Sequence, residues 1–108
     1  GDQRPVHTVV PAQPRLMQNY PNPFNPETWI PFELSEASDV TISVYRPNGQ
    51  RVRQIDLGHH EAGEYRSRDA AAYWDGTNEI GERVSSGVYF YGIEAGQYSE
   101  MRRMVILK

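Results

Sequence analysis

Apolar and polar residues alternate along this chain with a period of two. From Thr28 to Leu34, Ile30, Phe32 and Leu34 fall on one face, and Trp29, Pro31 and Glu33 on the other. That spacing predicts a β-strand. Pro31 has no amide to give to a ladder, which predicts an edge position. Asp39 to Arg46 alternates again, with Val40, Ile42 and Val44 inward. Pro47-Asn48-Gly49 then predicts a hairpin turn, with Asn48 and Gly49 supplying positive φ values. Gln50 to Leu57 is the return strand. Val52 and Ile55 lie three apart, so a β-bulge near Arg53-Gln54 is expected to bring both to the core. Gly58 to Gly63 reads as a loop carrying His59 and His60. Glu64 to Arg68 reads as a charged strand, and Asp69 to Ala72 as a short connection.

The stretch Tyr73 to Tyr91, YWDGTNEIGERVSSGVYFY, organises the second half. Trp74 ends a strand in the core. Asp75-Gly76 is a turn signal, because both residue types tolerate positive φ. Gly81 allows a second reversal, and Gly87 releases the chain into Val88-Tyr89-Phe90-Tyr91, where β-branched and aromatic residues favour a pleated surface. Val88 to Glu94 and Tyr98 to Leu107 form a last hairpin around Ala95-Gly96-Gln97. In the final strand Met104 and Ile106 share one face, and Val105 and Leu107 the other. Short strands with turn signals every ~8–12 residues predict an all-β antiparallel β-sandwich of about seven strands. Ile42, Val44, Trp74 and Tyr89 are its expected core. Asn48, Gly49, Asp75, Gly76, Gly87 and Gly96 are its expected structural turns.

Composition narrows the picture. With 108 residues the chain is one domain with a tail. Residues 1–15 carry Pro5, Pro11 and Pro14 and read as an extended linker, with 16–108 as the domain. The opening Gly1-Asp2, without Met or an apolar leader, suggests a piece of a longer protein. The absence of cysteine excludes disulfides and thiolate chemistry. A formal net charge of −3, without long blocks of one sign, gives no reason to expect nucleic acid as a partner. No run approaches the ~20 apolar residues of a membrane-spanning helix. In Leu16 to Pro26, LMQNYPNPFNP, three prolines exclude a central strand. Tyr20 and Phe24 suit a lid over one end of the sandwich; a Pro-rich docking surface is the functional alternative.

Candidate chemistry is sparse. There is no G-x-S-x-G elbow, and His59-His60 is adjacent rather than spaced for a metal. Asp75, Asn78, Glu79 and Glu82 are hard oxygen ligands in one loop, but their spacing does not match a calcium loop. Trp29, Tyr45, Tyr65, Tyr73, Tyr89, Tyr91 and Tyr98 invite a carbohydrate-stacking reading, although strand packing explains most of them. The lone lysine, Lys108, argues against an internal isopeptide bond. No catalytic residue, metal site or cofactor is expected, and the chain is read as a non-enzyme.

From Leu16 onward the chain resembles the type A C-terminal sorting domains of bacterial type IX secretion cargo. The matching pieces are QNYPNPFNPET, VTISVYRPNGQRVR, AGEY, WDGTNEIGERVSSGVYFY, AGQ and the terminal RRMVILK, in the family's order. The second half also resembles the Ig-like domain of flagellar hook-cap proteins. The resemblance implies an Ig-like or fibronectin-III-like sandwich. It further implies a role in carrying an upstream cargo domain through outer-membrane secretion machinery to the surface of a Gram-negative bacterium. Two departures stand out: the longer EYRSRDAAAY segment, and Arg102-Arg103 where the family often has lysines. The rival expectations are a carbohydrate- or protein-binding module and a structural Ig-like spacer. The oligomeric state expected is a monomer. The terminal strand, Met104, Val105, Ile106, Leu107 and Lys108, is the expected recognition element. It is apolar on both faces, so it would either offer an open backbone edge to a partner strand or be a last core strand covered on both sides.

Overall fold

The computed structural model describes residues 10–107, and among these the chain forms nine strands and no helix. They are β1 (Arg15–Leu16), β2 (Thr28–Ile30), β3 (Phe32–Leu34), β4 (Ser38–Tyr45), β5 (Arg51–His60), β6 (Gly63–Tyr65), β7 (Ala72–Trp74), β8 (Gly87–Ala95) and β9 (Tyr98–Ile106). One layer is a four-stranded antiparallel sheet in the order β5-β4-β8-β9. The other is made of two small ladders, β1-β3-β6 and β2-β7, that share the segment 28–34. Ile30, Phe32 and Leu34 face Val40, Ile42, Val44, Tyr91, Ile93 and Met104 in one buried cluster. Each such side chain contributes roughly 1.5–3 kcal/mol on burial, which makes this cluster the main stabiliser of the sandwich. The arrangement is the expected all-β Ig-like sandwich, with more and shorter strands because breaks divide the first layer.

Those breaks explain where the pattern misleads. Pro31 does not mark an edge: β3 lies between β1 and β6. The proline sits at the joint where β2 ends and β3 begins, so its missing amide costs no ladder bond, and its carbonyl accepts the Met17 N–H at 3.0 Å. The β-bulge is not at Arg53-Gln54. The β4–β5 register slips between Val44 and Tyr45 and between Val40 and Thr41, leaving Val52 and Leu57 as the extra residues. Val52 becomes buried and Ile55 packs against the core from its edge. Gly58 does not open a loop. At φ 78° it follows the second slip and lets β5 run on to His60, opposite Ser38. In the β4–β5 turn only Gly49 has positive φ, at 90°, and Asn48 does not. Pro47 and Asn48 instead fill a turn closed by Gly49 N–H to the Arg46 carbonyl, and Asn48 Oδ1 accepts the Gln50 N–H.

Candidate functional site: a strap over the terminal strand

The segment Gln18 to Thr28 lies across the outer edge of β9 and is held there residue by residue. Gln18 Nε2 donates to the Arg103 carbonyl at 2.9 Å. Asn22 Oδ1 accepts the Val105 N–H at 3.0 Å. The Phe24 N–H donates to the Val105 carbonyl, and the Leu107 N–H to the Phe24 carbonyl, both at 3.1 Å. Phe24 therefore forms a parallel bridge to Ile106. Its ring is buried and meets the Trp74 ring edge-on at 5.7 Å. Prolines suit this role: they stiffen the strap without needing bonds of their own.

Behind the strap lies a buried polar knot. Asn19 is 2% exposed; its Nδ2 donates to Thr28 Oγ1 at 3.0 Å and its N–H to the Tyr91 hydroxyl at 2.9 Å. Tyr91 Oη in turn donates to the Met17 carbonyl at 2.7 Å. Burial raises the Tyr91 pKa above its ordinary value, so the hydroxyl stays a donor. Tyr91 ties the strap to the centre of the main sheet. The sequence signal for it was its parity with Tyr89, two residues earlier, and sequence reasoning passed over it.

Of the two readings of the terminal strand, the open backbone edge does not hold from the Arg103 carbonyl to Leu107, because the strap occupies it there. What this part of β9 presents is side chains. Met104 and Ile106 point into the core, Val105 is half-buried and Leu107 is 55% exposed. Lys108 lies outside the described residues, as do residues 1–9 of the expected linker. Arg15, assigned to that linker, opens β1 opposite Glu33.

The remaining singled-out residues serve the frame. Ile42, Val44, Trp74 and Tyr89 are all buried. Asp75 Oδ1 accepts from Thr77 N–H at 3.1 Å and from Thr77 Oγ1 at 2.6 Å. The Thr77 hydroxyl holds the Asp75 carboxyl below its usual pKa, with Arg53 adding a smaller pull. Arg53 Nη1 reaches Thr77 Oγ1 at 2.9 Å and lies 3.7 Å from Asp75, so a guanidinium fills the front of the 75–82 loop. Gly76, at φ 80°, is required by closeness: a Cβ there would lie 2.5 Å from the Pro26 carbonyl oxygen. Gly87 and Gly96 also take positive φ. His59 lies 3.6 Å from Asp39 and 3.5 Å from Glu61 at the surface. His60 packs edge-on against Tyr65 at 5.0 Å. Trp29, Tyr20 and Tyr73 form a cross-strand aromatic row on the outer face of the first layer, and the Arg68 guanidinium sits 4.4 Å over the Trp29 ring.

Three comparisons with known proteins place this architecture. The sequence model of the family described as "FlgD Ig-like domain" matches residues 24–99. No curated protein matches the chain. Among solved structures, the chain is similar to dimeric latent PorU from Porphyromonas gingivalis, with a TM-score of 0.62 at 16% identity. The likeness covers 96% of this chain and 10% of that one, so the chain spans about a tenth of PorU's length. It is also similar to FlgD from P. aeruginosa, with a TM-score of 0.55 at 19% identity, covering 91% of this chain and 69% of that one. At these identities the structural likeness speaks for the fold. Most of the strap and of the terminal strand falls outside the matched residues 24–99.

Proposed function

The chain belongs to the FlgD Ig-like domain family, and from that premise we propose that it is a non-enzymatic sorting and anchoring module. In this reading it directs an attached cargo protein across the outer membrane of a Gram-negative bacterium to the cell surface. Support comes first from the resemblance of QNYPNPFNPET and RRMVILK to type IX sorting domains. The observation that carries the reading is that these two stretches, more than eighty residues apart in sequence, form one bonded unit through Gln18, Asn22 and Phe24. A spacer domain needs a closed sandwich, but it does not need residues 18–24 and 103–107 locked into one surface element. The transport machinery would read the finished seam, including the Leu107 and Val105 side chains, with Lys108 beyond them. Among the described residues no helix is long and apolar enough to cross a membrane.

The test is export. The domain is fused behind a signal peptide and a reporter in a host with type IX machinery. The intact chain is compared with a version lacking Val105–Lys108 and with Lys108→Glu. The intact fusion is expected at the cell surface. Loss of export by a variant that still melts cooperatively supports recognition of the seam. An intact fusion left in the periplasm overturns the sorting reading. A carbohydrate-binding module is the second reading, favoured by the pair of half-buried Trp29 and exposed Tyr73 at 5.5 Å. Cross-strand packing and Arg68 already account for that pair, so it ranks below sorting.

A further inference from the structure

The strap closes only part of the β9 edge. Val105 turns its N–H and C=O away from β8, toward Asn22 and Phe24. Outward and inward groups alternate along an antiparallel strand, so Arg103, Met101 and Ser99 turn outward as well. Gln18 covers the Arg103 carbonyl. Among the described residues, no hydrogen bond meets the Arg103 N–H or the N–H and C=O of Met101 and Ser99. An open recess of about 390 Å³ lies alongside, between Gln18 and Asn22 on one side and Met101 and Arg103 on the other. Met101 is 56% exposed. The opposite edge of the same sheet has no such gap beside Gln54, because Glu79 Oε1 accepts the Gln54 N–H at 2.6 Å.

We propose that Ser99–Arg103 is a pairing edge for a second copy of this chain, antiparallel about Met101, joining two four-stranded sheets into one. The sequence Ser99-Glu100-Met101-Arg102-Arg103 is complementary to itself in that register. Met101 faces Met101 with two reciprocal backbone bonds. Each Arg103 N–H faces the Ser99 carbonyl of the other copy. Glu100 faces Arg102 in the closely spaced, non-hydrogen-bonded pairs, twice over, so opposite charges meet at both. The strap stops the pairing beyond Arg103, which fixes the register and limits assembly to two copies. A partner strand of another protein would not require this self-complementary order. The inference stands apart from the sorting reading, since it rests on the edge and not on export.

Sedimentation velocity on the full chain, across a range of micromolar concentrations, tests it. The wild type is expected to form a concentration-dependent dimer. Glu100→Arg and Arg102→Glu each place like charges opposite one another and are expected to weaken self-association about tenfold or more, roughly 1.4 kcal/mol. An equimolar mixture of the two restores opposite charges at both pairs and is expected to associate like the wild type. Arg102 also donates to the Leu16 carbonyl, so thermal melts accompany each variant. Met101→Pro is the second probe. It removes an outward amide that makes no internal bond, so it is expected to fold yet stay monomeric. A wild type that remains monomeric throughout overturns the proposal and leaves the edge to a different strand. A mixture no tighter than its components, or a dimer that survives Met101→Pro, overturns it equally.

Discussion

The two edges of the four-stranded sheet are finished in different ways. Edge β5 is protected by nearby means. Two register slips twist it, Arg51 and Arg53 line it with charge, and Glu79 caps the Gln54 amide from a loop 25 residues away. Such devices are the usual defence of an exposed strand. Edge β9 is protected by a segment from the far end of the domain, with contacts 83 and 85 residues apart in sequence, and only over its C-terminal half. Local protection makes β5 inert whatever the rest of the chain does. Protection at a distance makes the state of β9 depend on the strap, and makes the seam a report that the whole domain has folded. A sorting element with that property would mark finished cargo.

The largest way to break the contrast is Phe24→Ala. The ring is 2% exposed and anchors the strap against Trp74. Removing it is expected to cost about 3–5 kcal/mol in a denaturant titration, while an unchanged midpoint would mean that the strap is not anchored there. Gly76→Ala comes next, at about 1–3 kcal/mol. It combines positive φ with a close approach to the Pro26 carbonyl, and so pushes the strap from behind. A melting temperature equal to wild type would contradict that crowding. Smaller still, Asn22→Ala and Glu79→Ala each remove one cap from a backbone amide, and about 0.5–1.5 kcal/mol is expected for either. They sharpen the contrast, because only Asn22→Ala should also loosen Leu107. The smallest effect is acid dependence at the β5 side. The folded Asp75 carboxyl has a lowered pKa, so its contribution is present above the ordinary carboxylate range and is lost as pH falls through the folded value. Asp75→Asn is expected to flatten that acid limb of a stability–pH profile, and an unaltered limb would assign the dependence elsewhere.

Much of the sandwich was legible because burial imposes a period of two. Ile30, Phe32, Leu34, Ile42 and Val44 could be placed by counting. The same counting failed at Pro31 and Gly58, since a proline or glycine reads alike whether it ends a strand or sits at a joint within one. Asp75, Gly76 and Gly87 were readable as turns from chemistry local to each. The strap was readable as a lid carrying Tyr20 and Phe24. Its pairing with β9 was not, because a parallel bridge across some eighty residues leaves no mark on local periodicity. Tyr91 was missed for a related reason: its partners, Met17 and Asn19, lie more than seventy residues away.

Residue-resolved amide hydrogen exchange, measured by NMR at dilution low enough to keep the chain monomeric, tests the seam most directly. The Val105, Leu107 and Phe24 amides are expected to be protected together, and the Met101 and Ser99 amides on the same strand to exchange fast. In Asn22→Ala, Val105 should lose its protection while the β4–β8 amides keep theirs. Val105 and Leu107 exchanging as fast as Met101 in the wild type would contradict the account, for the strap would then not be holding the terminal strand.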